Sequence, residues 1–477
     1  MTGFNEIDLG IEIFNYFILF FAISVMGSYV VLAIISAIGL KKYLKHNRYV
    51  NYDSLLFLKD APKVSLLAPA YNEGRTIEEN VKSLLGIKYN NFEVIVINDG
   101  SKDDSVEILA KAFELVKTDD VYHPKITTKN VRGIYKSTNP VYSKLVVIDK
   151  ENGGKADALN TGINFANNPY VVCIDVDCIM DKDVLLKLAK PFLEYSDKRI
   201  IATGGVVRIA NSCEIKSGKL VRVFAPENWL ARIQVLEYLR AFILGRMAWS
   251  QMDGLLLISG AFGMFDKDIV IASGGYNTNT VGEDMELVVR MRRYMIETKQ
   301  EYRIQYIPDP LCWTEAPESF QILRKQRSRW TRGTIETLFI HRKMLFNPKY
   351  KILGMVSFPY WTLYEFLAPI IEATGLLITF LFACLGILKW SFFVWLLLFV
   401  YSFAVMFSFM ALYAEESTFK RYQTFTDLFK LIFVALIEPI YFHPFTVYAA
   451  LKGNYEKIKG THGWGDMTRK GFTSKTN

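Results

Sequence analysis

Cysteine is scarce in this chain. The 477 residues contain five, Cys173, Cys178, Cys213, Cys312 and Cys384, and none has the paired spacing of a structural metal site. Three lie in apolar strand-like or helical runs, so the expectation is buried thiols in a reducing compartment rather than a disulfide framework. Internal repeats and low-complexity tracts are missing, which removes solenoid and tail-like architectures. A cleavable leader is not expected either. The N-terminus is acidic (Glu6, Asp8, Glu12), and the first apolar run is too long for a signal core. The net charge of +8 is not spread evenly. It gathers at Lys41–Arg48, Arg324–Lys351 and Lys452–Lys470, each beside an apolar segment. That pattern favours a membrane surface of anionic lipid and argues against a nucleic-acid partner.

What is present is apolar surface. Hydrophobic residues make up 51% and aromatics 14%, with a mean hydropathy of +0.16, fitting several membrane spans plus a polar domain. Phe14–Leu40 is an uncharged run longer than the roughly 20 residues that cross a bilayer. Acidic residues precede it and Lys41, Lys42, Lys45 and Arg48 follow, so the chain beyond it is expected in the cytoplasm. Residues 62–344 are soluble in character. Strands are expected at Val64–Ala68, Glu93–Asn98, Leu145–Ile148, Tyr170–Ile174, Ile200–Val207, Leu255–Ile258 and Arg303–Ile307. Helical patterns occupy Arg75–Leu85, Ser105–Leu115, Lys155–Phe165 and Lys182–Glu194. Such alternation implies βαβ units on a mostly parallel sheet. Lys117–Tyr142 lacks a period and reads as an insertion loop. After Lys351 come three further apolar candidates, Ile352–Leu388, Trp390–Leu412 and Phe425–Leu451.

The stretch around which the rest is organised is Tyr170–Asp181. Val171–Ile174 has the length and β-branching of a buried parallel strand, and it ends in Asp175-Val176-Asp177. If the chain stays extended there, both carboxylates point to one side at the ligand-binding end of the sheet. Two such groups suit a hard divalent ion bridging phosphate oxygens. The first strand ends in Ala68-Pro69-Ala70-Tyr71-Asn72-Glu73 and the second in Asn98-Asp99-Gly100-Ser101, itself a good turn and helix cap. Asn152-Gly153-Gly154-Lys155 adds close backbone approach and a cation that can meet phosphate.

In order and spacing these motifs, together with Gly282-Glu283-Asp284 and Gln326-Arg327-Ser328-Arg329-Trp330, resemble family 2 glycosyltransferases of GT-A fold. The chain is most similar to the membrane-embedded synthases of poly-β-N-acetylglucosamine, hyaluronan, chitin and cellulose. The resemblance implies an α/β, Rossmann-like GT-A catalytic domain at 62–319 between an N-terminal transmembrane helix at 14–40 and a C-terminal helical membrane region. An interfacial helix at 320–350, a membrane region of three to four helices at 352–451 and a cytoplasmic tail at 452–477 would follow. Tyr71, Glu73 and Asp99 would hold the uridine of a UDP-sugar, with Lys155 near the base or phosphates. Asp175 and Asp177 would hold the diphosphate through Mg2+ or Mn2+. Asp284 would be the general base, with Glu283, Gln326, Arg329 and Trp330 at the diphosphate and acceptor.

Physical chemistry runs parallel to these roles. Asp284 opens a helix whose dipole favours its charged form, while Glu283 beside it opposes charging. Gln326, Arg329 and Trp330 share one helix face, where a guanidinium matches diphosphate and an indole can carry a sugar ring. The Gly282-Glu283-Asp284 triad departs from the Thr-Glu-Asp of cellulose synthases, and a cyclic-dinucleotide regulatory domain is not expected. The segment Gly463–Arg469 resembles a tryptophan-to-arginine tail that meets the diphosphate, making Trp464 and Arg469 candidates. A cytoplasmic tail requires an even number of spans after the catalytic domain, which three candidates satisfy only if Ile352–Leu388 forms a hairpin or one other segment crosses twice or lies in the interface.

The expected activity is an inverting, processive transfer from a UDP-sugar, UDP-N-acetylglucosamine before UDP-glucose and UDP-glucuronate, onto a growing polysaccharide. Glu365, Glu372, Glu438 and Trp361, expensive in lipid, would line its way out. The expected location is the plasma (inner) membrane, crossed several times, with room for accessory export subunits. A single transfer to a lipid-linked acceptor is the alternative. A non-catalytic membrane subunit is a third reading, which retention of Asp99, Asp175, Asp177 and Asp284 opposes.

Overall fold

The computed structural model describes residues 2–120, 122, 124–194, 197–216 and 218–460. The strands are β1 (Val64–Ala70), β2 (Phe92–Asp99), β3 (Leu115–Thr118), β4 (Val131–Ser137), β5 (Leu145–Lys150), β6 (Tyr170–Ile174), β7 (Ile179–Met180), β8 (Arg199–Ile209), β9 (Glu214–Lys216), β10 (Lys219–Arg222), β11 (Phe262–Asp266) and β12 (Tyr302–Thr314). Ten of them form one sheet in the order β3-β4-β5-β2-β1-β6-β11-β8-β12-β7, while β9 and β10 make a separate hairpin. Strands β5, β2, β1 and β6 run parallel. They are rich in Val and Ile and buried on both faces, as parallel strands under helices must be. Their C-terminal ends carry Lys150, Asp99, Ala70 and Ile174 to one edge.

Helices α1 (Thr2–Asn47), α2 (Ile77–Leu85), α3 (Ser105–Ala112), α4 (Lys155–Phe165) and α5 (Val184–Leu193) come first. Next, α6 (Trp229–Leu239) passes through a π-helical turn, Arg240–Arg246, into α7 (Met247–Gln251). Beyond them lie α8 (Lys267–Ala272), α9 (Glu283–Glu297) and α10 (Phe320–Ile340), the last capped by Ser319 on Ile322 N–H. Within the apolar C-terminal part, α11 (Phe358–Tyr360) and α12 (Ala368–Cys384) belong to one helix over Leu353–Cys384. It is followed by α13 (Trp390–Thr418), α14 (Phe425–Tyr441) and α15 (His443–Ile458). Among the described residues three helices are long and apolar enough to cross a membrane: Asp8–Asn47, Leu353–Cys384 and Trp390–Thr418.

The sheet and the π-helical turn after α6 are tied to these helices by buried polar contacts. Arg208 on β8 pairs with Glu415 near the end of α13, both almost fully enclosed. Arg240 grips Glu438 of α14 with two nitrogens at 2.7 and 2.8 Å and donates to Ser408 of α13. Ser36 of α1 donates to the carbonyl of Ile243.

Several expectations are corrected. Leu255–Ile258 is no strand. It crosses the sheet face, with the Ile258 side chain seated over Gly204 and Gly263, and pairing begins only at Phe262. The supposed insertion loop Lys117–Tyr142 contains β4 and the end of β3, which extend the sheet antiparallel to β5. Ile352–Leu388 is one helix and not a hairpin. Phe425–Leu451 is not one span, because it breaks at Phe442 between Pro439 and Pro444, where Glu438 is drawn towards Arg240.

Candidate active site

The loops after β1 and β2 are zipped together. Asn72 takes a left-handed conformation (φ 56°), donates its backbone N–H to Ser101 Oγ and accepts Lys102 N–H on its side chain. Glu73 N–H reaches Ser105 and Gly74 N–H reaches Asp103. Burial works against the Asp103 carboxylate, but hydrogen bonds from Ser105 and Gly74 hold its pKa below the ordinary value.

Asp99 is an organiser of the glycine turn that follows β5. Its Oδ1 accepts from Lys150 Nζ at 2.7 Å and Gly153 N–H at 2.9 Å, and its Oδ2 accepts from Gly154 N–H at 2.7 Å. Lys150 is fully buried and also pairs with Asp157 at 2.6 Å. Gly154 has φ 84°, a conformation that only glycine adopts cheaply, and it launches α4 with Lys155 at its start.

Asp175-Val176-Asp177 is not extended as expected. Cys178 N–H bonds to the Asp175 carbonyl at 3.0 Å and closes a turn. The turn still brings the carboxylates together. One oxygen of each and the Cys178 sulfur lie within 4.8 Å of one another. Lys155 Nζ pairs with Asp175 and donates to the Gly260 carbonyl at 3.0 Å. Burial disfavours the Lys155 charge, yet Asp175, Glu283 and Asp284 outweigh it and raise its pKa.

Glu283 and Asp284 occupy the first turn of α9. Asp284 Oδ2 accepts from Gly260 N–H at 2.8 Å, and Oδ1 from Met285 N–H at 2.8 Å. A side chain at position 260 would lie 3.0 Å from Asp284 Oδ2 and 3.3 Å from Lys155 Nζ, so only glycine leaves this corner open. Burial, with the adjoining Asp284 charge, pushes the Glu283 carboxyl up to about 7 against the pull of Lys155 and Arg329. Burial lowers the Arg329 pKa, opposed by Glu283, Asp175 and Asp284.

On α10, Trp330 is 43% exposed and lies under the Arg327 guanidinium, 4.1 Å from its ring centre. The Gln326 side-chain oxygen is buried without a hydrogen-bond partner. Helix α10 meets the α9 loop backbone to backbone. A Cβ on Gly282 would fall 2.7 Å from the Gly333 Cα, which fixes Asp284 relative to Arg329.

Tyr71, Glu73, Asp99, Lys155, Asp175, Asp177, Glu283, Asp284, Gln326, Arg329 and Trp330 all line one cavity of about 2580 Å³. The cavity continues between the apolar helices past Tyr29, Tyr364, Glu365, Glu372, Tyr401 and His443. Trp464 and Arg469 lie outside the described residues. Lys150 and Gly333 escaped the sequence reading, whereas Gly260 stood in a small-residue turn, Ser259–Met264, expected along the acceptor's path. Only the charge at the end of an apolar strand marked Lys150, and nothing local marked Gly333.

Known proteins share this architecture. The model of "Glycosyl transferase family 2" matches residues 65–214, and that of "Glycosyl transferase family group 2" matches residues 170–412. This chain is a family 2 glycosyltransferase. Poly-β-1,6-N-acetyl-D-glucosamine synthase of Staphylococcus aureus (strain COL) is 31% identical over 278 residues, 58% of this chain and 55% of that protein. The enzyme of the same name from Staphylococcus epidermidis is 31% identical over 277 residues, with the same coverage. The chain thus spans about half the length of the curated relatives it matches. A mannosyltransferase from Pyrobaculum calidifontis, solved with GDP-mannose and Mn2+, covers 92% of this glycosyltransferase and 99% of its own chain. Its TM-score is 0.50 and its identity 16%, a likeness of fold. The expected GT-A fold is therefore present in this family 2 glycosyltransferase.

Proposed function

We propose that this glycosyltransferase is an inverting, metal-dependent, processive polysaccharide synthase. It would draw on a cytoplasmic UDP-sugar, UDP-N-acetylglucosamine first among the candidates, and pass a β-linked chain out between its own membrane helices. The observation that carries this reading is the single cavity joining the carboxylate cluster to the apolar bundle. A lipid acceptor would also fit an apolar corridor, and product length separates the two. Among the described residues two spans follow the catalytic domain, an even number, which also suits a tail on the nucleotide's side. The plasma membrane as its location belongs to the same reading.

The donor set fits a hard divalent cation. Asp175 and Asp177 offer oxygens, whereas the hydrogen bond to Cys312 and burial raise the Cys178 thiol and keep it protonated. Such a cation, held by Asp177 and Asp175, would offset diphosphate charge as the nucleotide leaves. Tyr71 and Glu73 border the nucleoside end, and Asp99 acts by holding the Gly153–Gly154 turn that presents Lys155. Lys155 and Arg329 supply positive charge opposite the diphosphate. Trp330 offers its exposed face to the acceptor sugar, and Gln326 a polar group within reach of it. Asp284, aimed by the Gly260 and Met285 amides, takes the acceptor hydroxyl proton as that oxygen attacks the anomeric carbon.

The test is polymer length. Purified enzyme in nanodiscs with radiolabelled UDP-N-acetylglucosamine, UDP-glucose or UDP-glucuronate should give high-molecular-weight product with one donor. Single-sugar lipid product with every donor would replace this reading by the lipid-acceptor one.

A further inference from the structure

The residue that matters here, Glu336, lies outside every motif, on α10 beyond Gln326, Arg329 and Trp330. It is 7% exposed, an expensive place for a carboxylate unless it is bonded. Its Oε2 accepts two hydrogen bonds from the segment leading into α9: Thr280 Oγ1 at 2.8 Å and Val281 N–H at 3.0 Å. Thr280 Oγ1 in turn accepts Gly282 N–H at 3.1 Å. The other oxygen, Oε1, meets Lys457 Nζ of α15 at 3.3 Å, which supplies a countercharge.

The arrangement divides the work of placing Asp284. The Gly282–Gly333 contact sets how near the loop comes to α10, because backbone touches backbone. Contact alone does not set the roll of the loop about that point. Two directional hydrogen bonds to a single buried oxygen do, and Asp284, the second residue of its helix, follows Thr280 by four residues and Val281 by three. Helix α10 is itself pinned from behind. A Cβ on Gly453 would fall 2.6 Å from the Ser328 carbonyl, and Ser328 donates to Glu456 at 2.7 Å. One rigid helix therefore carries Arg329 and Trp330 and also the group that orients the candidate base.

We infer that Glu336 is a positioning residue for transfer: through Thr280 and Val281 it holds the Asp284 carboxylate in register with the face of α10 that carries Arg329 and Trp330. The inference rests on the proposed role of Asp284 as base. Glu336 does not line the cavity, so its loss should reach the turnover step and spare donor binding. A misplacement of about 1 Å in a reacting group costs on the order of 10²-fold.

The experiment uses the full chain in nanodiscs, with UDP binding and polymerisation kinetics measured in parallel. Glu336→Ala is expected to lower kcat by about 30- to 100-fold while UDP Kd and donor KM stay within about threefold. Thr280→Val, which removes one hydroxyl and carries little risk to folding, should lower kcat by about tenfold with the same pattern. The double variant should be no worse than Glu336→Ala alone, because both break one linkage. Additive losses, an equal loss of UDP affinity, or wild-type kcat in both Thr280→Val and Glu336→Ala would overturn the inference. Asp284→Asn, run alongside, separates the two readings. If it keeps turnover, the base assignment falls; if it loses turnover and the Glu336 and Thr280 variants keep theirs, only the positioning role falls.

Discussion

The amide of Gly260 donates to Asp284 Oδ2 at 2.8 Å, and the space a side chain would need at position 260 is already taken by Asp284 and Lys155. Gly260→Ala should therefore push the carboxylate aside without unfolding the sheet. The side-chain tips need to give by only a few tenths of an ångström, so the expected result is a kcat lower by about three- to tenfold, with UDP affinity changed by less than about threefold. Steady-state kinetics beside calorimetric UDP titration checks it.

Asp284→Asn keeps the shape and one of the two backbone hydrogen bonds but removes the proton acceptor. Transfer should disappear while UDP affinity stays within about tenfold, the amide also relieving charge beside Glu283. Normal polymerisation by this variant, followed with radiolabelled donor, is the contrary outcome.

Glu283 gives a pH dependence of definite sign. Its pKa, pushed up to about 7 from an ordinary 4.5, keeps a proton on the folded protein that the unfolded chain has already lost. Its contribution to stability is thus full below about 4.5 and is lost as pH rises through about 7. Ionisation also adds a negative charge beside the diphosphate site. UDP affinity should fall by up to about tenfold between pH 6 and 8.5, more in the wild type than in Glu283→Gln. Equal slopes in the two proteins would exclude Glu283 as the source.

Metal removal tests the two carboxylates. Chelation by EDTA should abolish transfer, and Mn2+ or Mg2+ should restore it. In Asp177→Asn the half-saturating metal concentration should rise by about tenfold or more, because one of few oxygen ligands is weakened. Undiminished transfer in EDTA would remove the cation from the scheme.

The Arg208–Glu415 pair fastens the sheet to α13 away from the cavity. Glu415→Gln strands a buried guanidinium and should cost about 3–5 kcal/mol of stability. Thermal melting in nanodiscs would show it, with UDP affinity unchanged well below the transition.

Much of the fold was legible because buried parallel strands write themselves as Val- and Ile-rich runs. Lys155–Phe165 and Tyr170–Ile174 coincide with their expected bounds. Leu255–Ile258 misled because an apolar run reads alike whether it joins a sheet or lies across it, and only Gly204 and Gly263 decide. The strands β3 and β4 hid because they are short, mostly exposed or half-buried without alternation, and lie at and next to the sheet's edge, where polar residues are tolerated. Candidate site residues were recognisable by their types at strand ends, and all those described line the same space. Asp99 illustrates what spacing cannot tell. Both its oxygens are engaged by Lys150 and the Gly153–Gly154 turn, a partnership that depends on a lysine half a hundred residues away in sequence. Glu336 was invisible for the same reason, since its partners come from another helix's approach.

The uninterrupted cavity has one more implication, for chemical intervention. A compound seated against Trp330 would share one cavity with the carboxylate cluster and the corridor between the helices, so a single plug would compete for space with both. Resistance by altering only the outer corridor would leave that plug in place.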